Sequence, residues 1–145
     1  MKDRKSALHL ILLAGFSLAV ASPNLDAQIV DEIEARVPFS FVVADRTLDR
    51  GHYVMRLRRG EDPSLEVRGT QGQEAVVVPT TISVGSNKPP QSGLSFNQYE
   101  NERFLAKILI QGSNETMEIE PSDAERRHRK LGHRPNILFH PAKHR

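Results

Sequence analysis

The sequence predicts an all-β domain, an antiparallel β-sandwich or small barrel of about 6–8 strands, with a short C-terminal helix and a basic tail. Three observations carry this. Through residues 33–43, Ile33, Ala35, Val37, Phe39, Phe41 and Val43 fall on every second position, with Glu34, Arg36, Pro38 and Ser40 between them. A strand points successive side chains to opposite faces, so this spacing makes one greasy row and one wet row. Similar runs recur down the chain, separated by turn residues. No long helical pattern lies between them, which disfavours a parallel α/β sheet.

Taken in order, residues 1–27 carry the pattern of a secretory signal peptide. Lys2, Arg4 and Lys5 make a basic start, residues 8–20 are mostly apolar, and Ala19-Val20-Ala21 offers a cleavage site. Cleavage is expected after Ala21 or, through Asp26-Ala27-Gln28, after Ala27. The apolar run of 13 residues is short of the roughly 20 needed to span a bilayer, so no transmembrane segment is expected after signal cleavage. Residues 28–120 then form the β-domain, and residues 121–145 the short helix and basic flexible tail.

After the first strand, residues 44–51 read as a polar loop in which Asp45, Asp49 and Gly51 supply turn chemistry and Gly51 takes a positive φ. His52 opens a second alternating strand with Tyr53, Met55 and Leu57 on its inner row. A short strand over residues 64–68, a GTQGQ connection and a long β-prone run over residues 74–84 follow. Pro79 within that run predicts an edge or a bulge, because proline donates nothing to a ladder. Residues 85–93 are the least structured stretch. Residues 94–99 and 103–111 form a hairpin around Glu100-Asn101-Glu102, with Phe104, Ala106, Ile108 and Ile110 expected to point inward. Residues 115–119 add a last short strand. Ser122-Asp123-Ala124-Glu125 is a capping box, in which the Ser122 hydroxyl takes an orphan amide and Glu125 reaches back. The helix is expected to stop at Gly132. Beyond it the tail reads as loose, with an apolar patch at residues 136–139 docking on the body.

The first hairpin resembles a family of small exported bacterial proteins of unknown function. Their N-terminal pattern I-x-A-x-V-P-F-x-F-x-V, then L-P-A-G-x-Y-x-V, is similar to Ile33, Ala35, Val37-Pro38-Phe39, Phe41 and Val43, then Leu48, Gly51, Tyr53 and Val54. Asp49-Arg50 stands where Pro-Ala is expected, which loosens the turn without changing its direction. Further likenesses are Gly72-Gln73-Glu74-Ala75-Val76-Val77-Val78 and Arg103-Phe104-Leu105-Ala106, so the resemblance covers most of residues 33–111. It implies a secreted β-domain and no catalytic residues.

Composition narrows the chemistry. The absence of Cys removes disulfides, thiolate metal sites and cysteine nucleophiles. The absence of Trp, with only two Tyr, argues against a stacking platform for bases. His52 is the one histidine a Ser-His-Asp system in the body would use, yet it sits on the wet row with no nucleophile elbow nearby. Gly93-Leu94-Ser95-Phe96-Asn97 begins like G-x-S-x-G but lacks the last glycine. Glu100 with Glu102, and Glu61 with Asp62, lie in turns where carboxylates are solvated and not poised as glycosidase pairs. His128, His133, His140 and His144 do not have metal-ligand spacing. Arg36, Arg56, Arg58, Arg59 and Arg68 read as the wet side of a sheet. The Asn114-Glu115-Thr116 sequon reads as chance. No catalytic, cofactor-binding or metal residue is therefore assigned.

Charge is divided unevenly. Residues 28–125 carry 10 Lys/Arg and 16 Asp/Glu, whereas residues 126–145 carry 7 Lys/Arg and no acid. The tail either folds onto the acidic body or binds an anionic surface outside the chain. Arg126, Arg127, Arg129, Lys130 and Arg134 are the candidate contacts for such a surface. The function expected is that of a non-enzymatic, exported, periplasmic or extracellular module, structural or interacting at the cell envelope. Its partner is an anionic envelope surface or another envelope protein, with no nucleic acid and no cofactor. The alternative is a carrier for a small apolar ligand held in a barrel cavity lined by Phe39, Phe41, Phe96 and Phe104.

Overall fold

The computed structural model describes residues 29–72 and 75–145, and it is dominated by strands. The segment read as a signal peptide lies outside the described residues. Strand β1, Ile29–Val37, pairs antiparallel with β4, Gly51–Arg58. Their register sets Ile33 opposite Met55 and Ala35 opposite Tyr53, and all four are buried. The two inner rows predicted by the alternation thus share one face.

The run to Val43 is not one strand. Pro38 has no N–H to give and fixes its own φ, and the chain leaves β4 there. It resumes as β2, Phe41–Val43, which pairs with β3, Arg46–Leu48, and in parallel with β8, Glu102–Leu109, at Val42 and Phe104. The residues expected as one polar loop therefore contain β3 and a tight turn. That turn places Ala44 at φ 50° and Asp45 at φ 58°, two consecutive positive values as in a type I′ hairpin. Gly51 is not among the positive-φ residues; it opens β4 opposite Val37.

Strand β5, Ser64–Gly69, lies between β4 and β6, Val76–Val84. Pro79 marks neither an edge nor a bulge. Residues 76–79 pair with β5, and residues 80–84 pair with β9, Glu115–Ile119. The proline sits where β6 changes partner, so its missing donor costs no ladder bond.

Strand β7, Gly93–Tyr99, forms the predicted hairpin with β8. The pairing shifts between Ser95 and Phe96, opposite residues 105–107 of β8. One extra residue reverses which side chains face the core. Phe104, Ala106, Ile108 and Ile110 are all buried as expected, but Leu105 is buried too and joins the core cluster with Ile108 and Ile110, while Phe104 and Ala106 are buried outside that cluster.

The tail past Gly132 is built into the sheet, in contrast to the flexible tail expected. Strand β10, Asn136–Pro141, pairs with β7, and β11, Lys143–His144, pairs with β1. The hydrogen-bonded order is β10-β7-β8-β9-β6-β5-β4-β1-β11, so one short segment occupies both ends of it. These late strands and the two- and three-residue pieces raise the count among the described residues to eleven, above the 6–8 expected. The tail is held by complementary charge as well as by pairing. His144 Nε2 lies 2.9 Å from Asp31, and Arg145 lies 2.6 Å from Glu34 and 3.6 Å from Glu32. Part of the acidic body is thus matched by the basic tail.

Candidate anionic-surface site on the C-terminal helix

Helix α1, Asp123–Lys130, has no apolar stripe: its sequence is DAERRHRK. Eight residues are too few for a stable isolated helix, so its stability comes from its ends and its contacts. At the N-terminus the Ser122 Oγ accepts the Glu125 amide at 3.1 Å, and Asp45 Oδ1 accepts the Asp123 amide at 2.7 Å. At the C-terminus Gly132, at φ 77°, closes a Schellman motif. Its amide reaches the Arg129 carbonyl at 3.0 Å, and the His133 amide reaches the His128 carbonyl at 3.1 Å. Acids occupy the first turn and bases the last, as the helix dipole favours.

The helix is fastened to the sheet through Glu125, which is 2 % exposed. The carboxylate does not close the capping box back onto Ser122. It turns into the body, where Asn97 Nδ2 donates to it at 2.7 Å and Arg129 at 2.8 Å, with the Tyr99 hydroxyl at 3.5 Å. His128 adds a second attachment. Its ring stacks on Tyr99 with centroids 4.8 Å apart and meets the edge of Phe104 at 5.9 Å. Its Nε2 lies 2.7 Å from Glu102, which as an acceptor draws the proton to that nitrogen. Its Nδ1 lies 3.1 Å from Nδ1 of His133.

This attachment decides which way the cations point. At 3.6 residues per turn, Arg127 is displaced by about 200° from Glu125 around the axis. With Glu125 turned inward, Arg127 and Lys130 are turned outward, and both are exposed. Of the five candidate residues, Arg126 is bound to Asp123 and to the Pro121 carbonyl, and Arg129 is bound to Glu125. Arg127, Lys130 and Arg134 are exposed and make no ion pair or side-chain hydrogen bond among the described residues. Leu131, next to Lys130, is 73 % exposed. Asp123 lies close to these cations, and Arg126, followed by Arg127 and Lys130, holds its carboxyl below the usual range.

The other sequence candidates are dispersed. His52 is exposed on β4 opposite Arg36. Ser95 is a buried strand residue paired with Lys107 and Phe139, not an elbow. Glu61 and Asp62 lie exposed between β4 and β5. The four tail histidines separate: His128 and His133 meet at α1, His140 binds the Arg36 carbonyl at 2.7 Å, and His144 binds Asp31. Among the described residues no three His, Asp or Glu side chains gather as a metal site would require.

Four of the five arginines read as the outer sheet face, Arg56, Arg58, Arg59 and Arg68, are bound to acids, while Arg36 is exposed with no ion pair among the described residues. Glu32, Arg56 and Glu66 lie directly across β1, β4 and β5. Arg56 reaches Glu32 at 2.9 Å, while Glu66 gathers Arg68 at 2.9 Å and Arg58 at 3.4 Å. Arg59 bridges Asp31 at 2.7 Å and Glu115 at 2.6 Å.

The four phenylalanines expected to line a ligand cavity do not face one space. Phe39 and Phe41 pack edge-on against Phe96 at 5.2 and 5.5 Å, whereas Phe104 sits with Tyr99 and His128 under the helix. A gap bounded by Leu57, Ile82, Ile108, Ile110 and Met117 has a volume near 10 Å³, about the room of one water.

Compared with known protein families, curated proteins and solved structures, the chain matches none.

Glu125 was missed as an anchor by sequence reasoning, because its partner Asn97 lies on a distant strand. The available signal was the helix itself, which has no greasy row to dock with.

Proposed function

We propose that this protein is a non-enzymatic, exported β-domain that serves as an interaction module at an anionic cell-envelope surface, using the outer face of α1. The observation that carries the reading is the division of the basic residues. Arg126 and Arg129 are spent on the chain's own acids, whereas Arg127 and Lys130 on the capped helix, and Arg134 just past its C-terminal turn, have no ion pair or side-chain hydrogen bond among the described residues. Cations that make no direct ion pair on an ordered surface attract phosphate or carboxylate groups over about a Debye length. The basic start and apolar run of residues 1–27 support export.

Substitution suits the test better than truncation, because the tail completes the sheet. Sedimentation of the protein with anionic vesicles or peptidoglycan is expected to weaken steeply as salt rises. The triple variant Arg127→Gln, Lys130→Gln, Arg134→Gln is expected to remain in the supernatant. Equal sedimentation of that variant would overturn the reading.

A further inference from the structure

Resting on that reading, we infer that the partner is an anionic lipid bilayer, with Leu131 entering its interfacial region between the cations. Leu131 closes the helix and at 73 % is the most exposed large hydrophobic among the described residues. Its amide donates to the Arg127 carbonyl at 3.1 Å, the i, i+4 relation that sets the two residues on one flank. Lys130 precedes it, and Arg134 follows the Gly132 turn. The surface is therefore one apolar tip beside Arg127 and Lys130, with Arg134 three residues further along the chain.

That combination distinguishes two kinds of anionic partner. A soluble polyanion gains from the three charges and nothing from the leucine, which stays in water. A bilayer gains from both, since phosphate headgroups meet the cations while the leucine side chain leaves water at the acyl boundary. The helix is held through Glu125, turned about 120° around the axis from Leu131, so the tip is presented without disturbing that anchor.

The test compares the full chain with Leu131→Ser and the triple Gln variant on two sets of vesicles. One contains phosphatidylglycerol mixed with phosphatidylcholine, and the other phosphatidylcholine alone. Any contribution of the N-terminal apolar run is then common to all samples. Heparin provides the soluble polyanion. Leu131→Ser is expected to lower partition onto the mixed vesicles about tenfold and to leave heparin binding unchanged. Each Gln substitution alone is expected to cost about fivefold on vesicles. If Leu131→Ser partitions as the parent does while the triple variant is released, the bilayer inference is wrong and a polyanionic partner stands in its place. If the triple variant binds both probes like the parent, the anionic-surface reading itself is lost.

Discussion

Asn97 of β7 donates through Nδ2 to Oε1 of Glu125 at 2.7 Å, joining two buried side chains 28 residues apart. This bond, rather than an apolar stripe, seats α1 on the sheet. Replacing Asn97 by Ala removes a donor from a desolvated carboxylate and is expected to cost about 1–3 kcal/mol. Glu125→Ala is expected to cost a similar amount, and the double variant less than the two together, with a coupling of about 0.5–3 kcal/mol. Urea unfolding of the four proteins measures this. In native-state hydrogen exchange, the amides of Leu131, Gly132 and His133 are expected to lose protection first.

A second expectation concerns Gly93, where β7 meets the tail. A Cβ built there would run into the Phe139 ring and lie 2.8 Å from the His140 carbonyl oxygen. Gly93→Ala should therefore push β10 off β7. Phe139→Ala in the same chain is expected to restore only part of the stability, because the carbonyl contact is backbone. Hydrogen exchange over residues 136–141 reports the detachment directly, and full protection in Gly93→Ala would refute it.

The first turn yields a pair of opposite substitutions. Ala44 sits at φ 50°, a conformation costing a residue with a Cβ about 1 kcal/mol. Ala44→Gly is expected to stabilise the protein by up to about 0.5 kcal/mol, the strain of about 1 kcal/mol less an entropy cost of about 0.5 kcal/mol or more. Gly51 has no positive φ, and a Cβ there would meet the Tyr53 ring at an ordinary 3.6 Å. Gly51→Ala is therefore expected to stabilise by about 0.4–1 kcal/mol through the unfolded chain. Thermal melts of the two single variants decide both.

Acid sensitivity follows from Glu118. The Lys107 ammonium at 2.9 Å, helped by the Ser83 hydroxyl, holds its carboxyl below the ordinary value of 4.5. A depressed folded-state pKa contributes stability that is complete above 4.5 and disappears as pH falls through the lower folded value. The pair is 48 % and 38 % exposed, so the contribution should stay under about 1 kcal/mol. Lys107→Met is expected to be less stable than the parent at neutral pH and to converge with it in acid. Urea midpoints measured across that range provide the check.

Much of the sheet could be read in the sequence because its outer residues are charged. Glu32, Glu34, Arg56 and Arg58 punctuate the inner rows of β1 and β4, so the period of two is plain. Where the phase misleads, the cause is local. Phe41 and Val43 keep step with Val37 across the Pro38 break, so a change of partner strand leaves no mark on the alternation. The bulge beside Ala106 puts Leu105 inward and Phe104 under the helix, and nothing in residues 103–111 announces the extra residue. The tail was read as loose because its greasy residues are few. Its order comes from Leu138 packing on the core and from Arg145 meeting Glu34, both distant in sequence. For the site, the cations were visible, but which of them are neutralised depends on the helix's rotation, and that is set by Asn97.

Ile33 and His144 are ladder partners, though almost the whole described chain lies between them. Joining them closes a loop across almost all the described residues. Most of that loop entropy is lost before the contact returns any energy, so assembly should be slow and its final step late. Until then β7 and β1 each present a bare row of amides and carbonyls, the surface on which neighbouring molecules stick or trade segments.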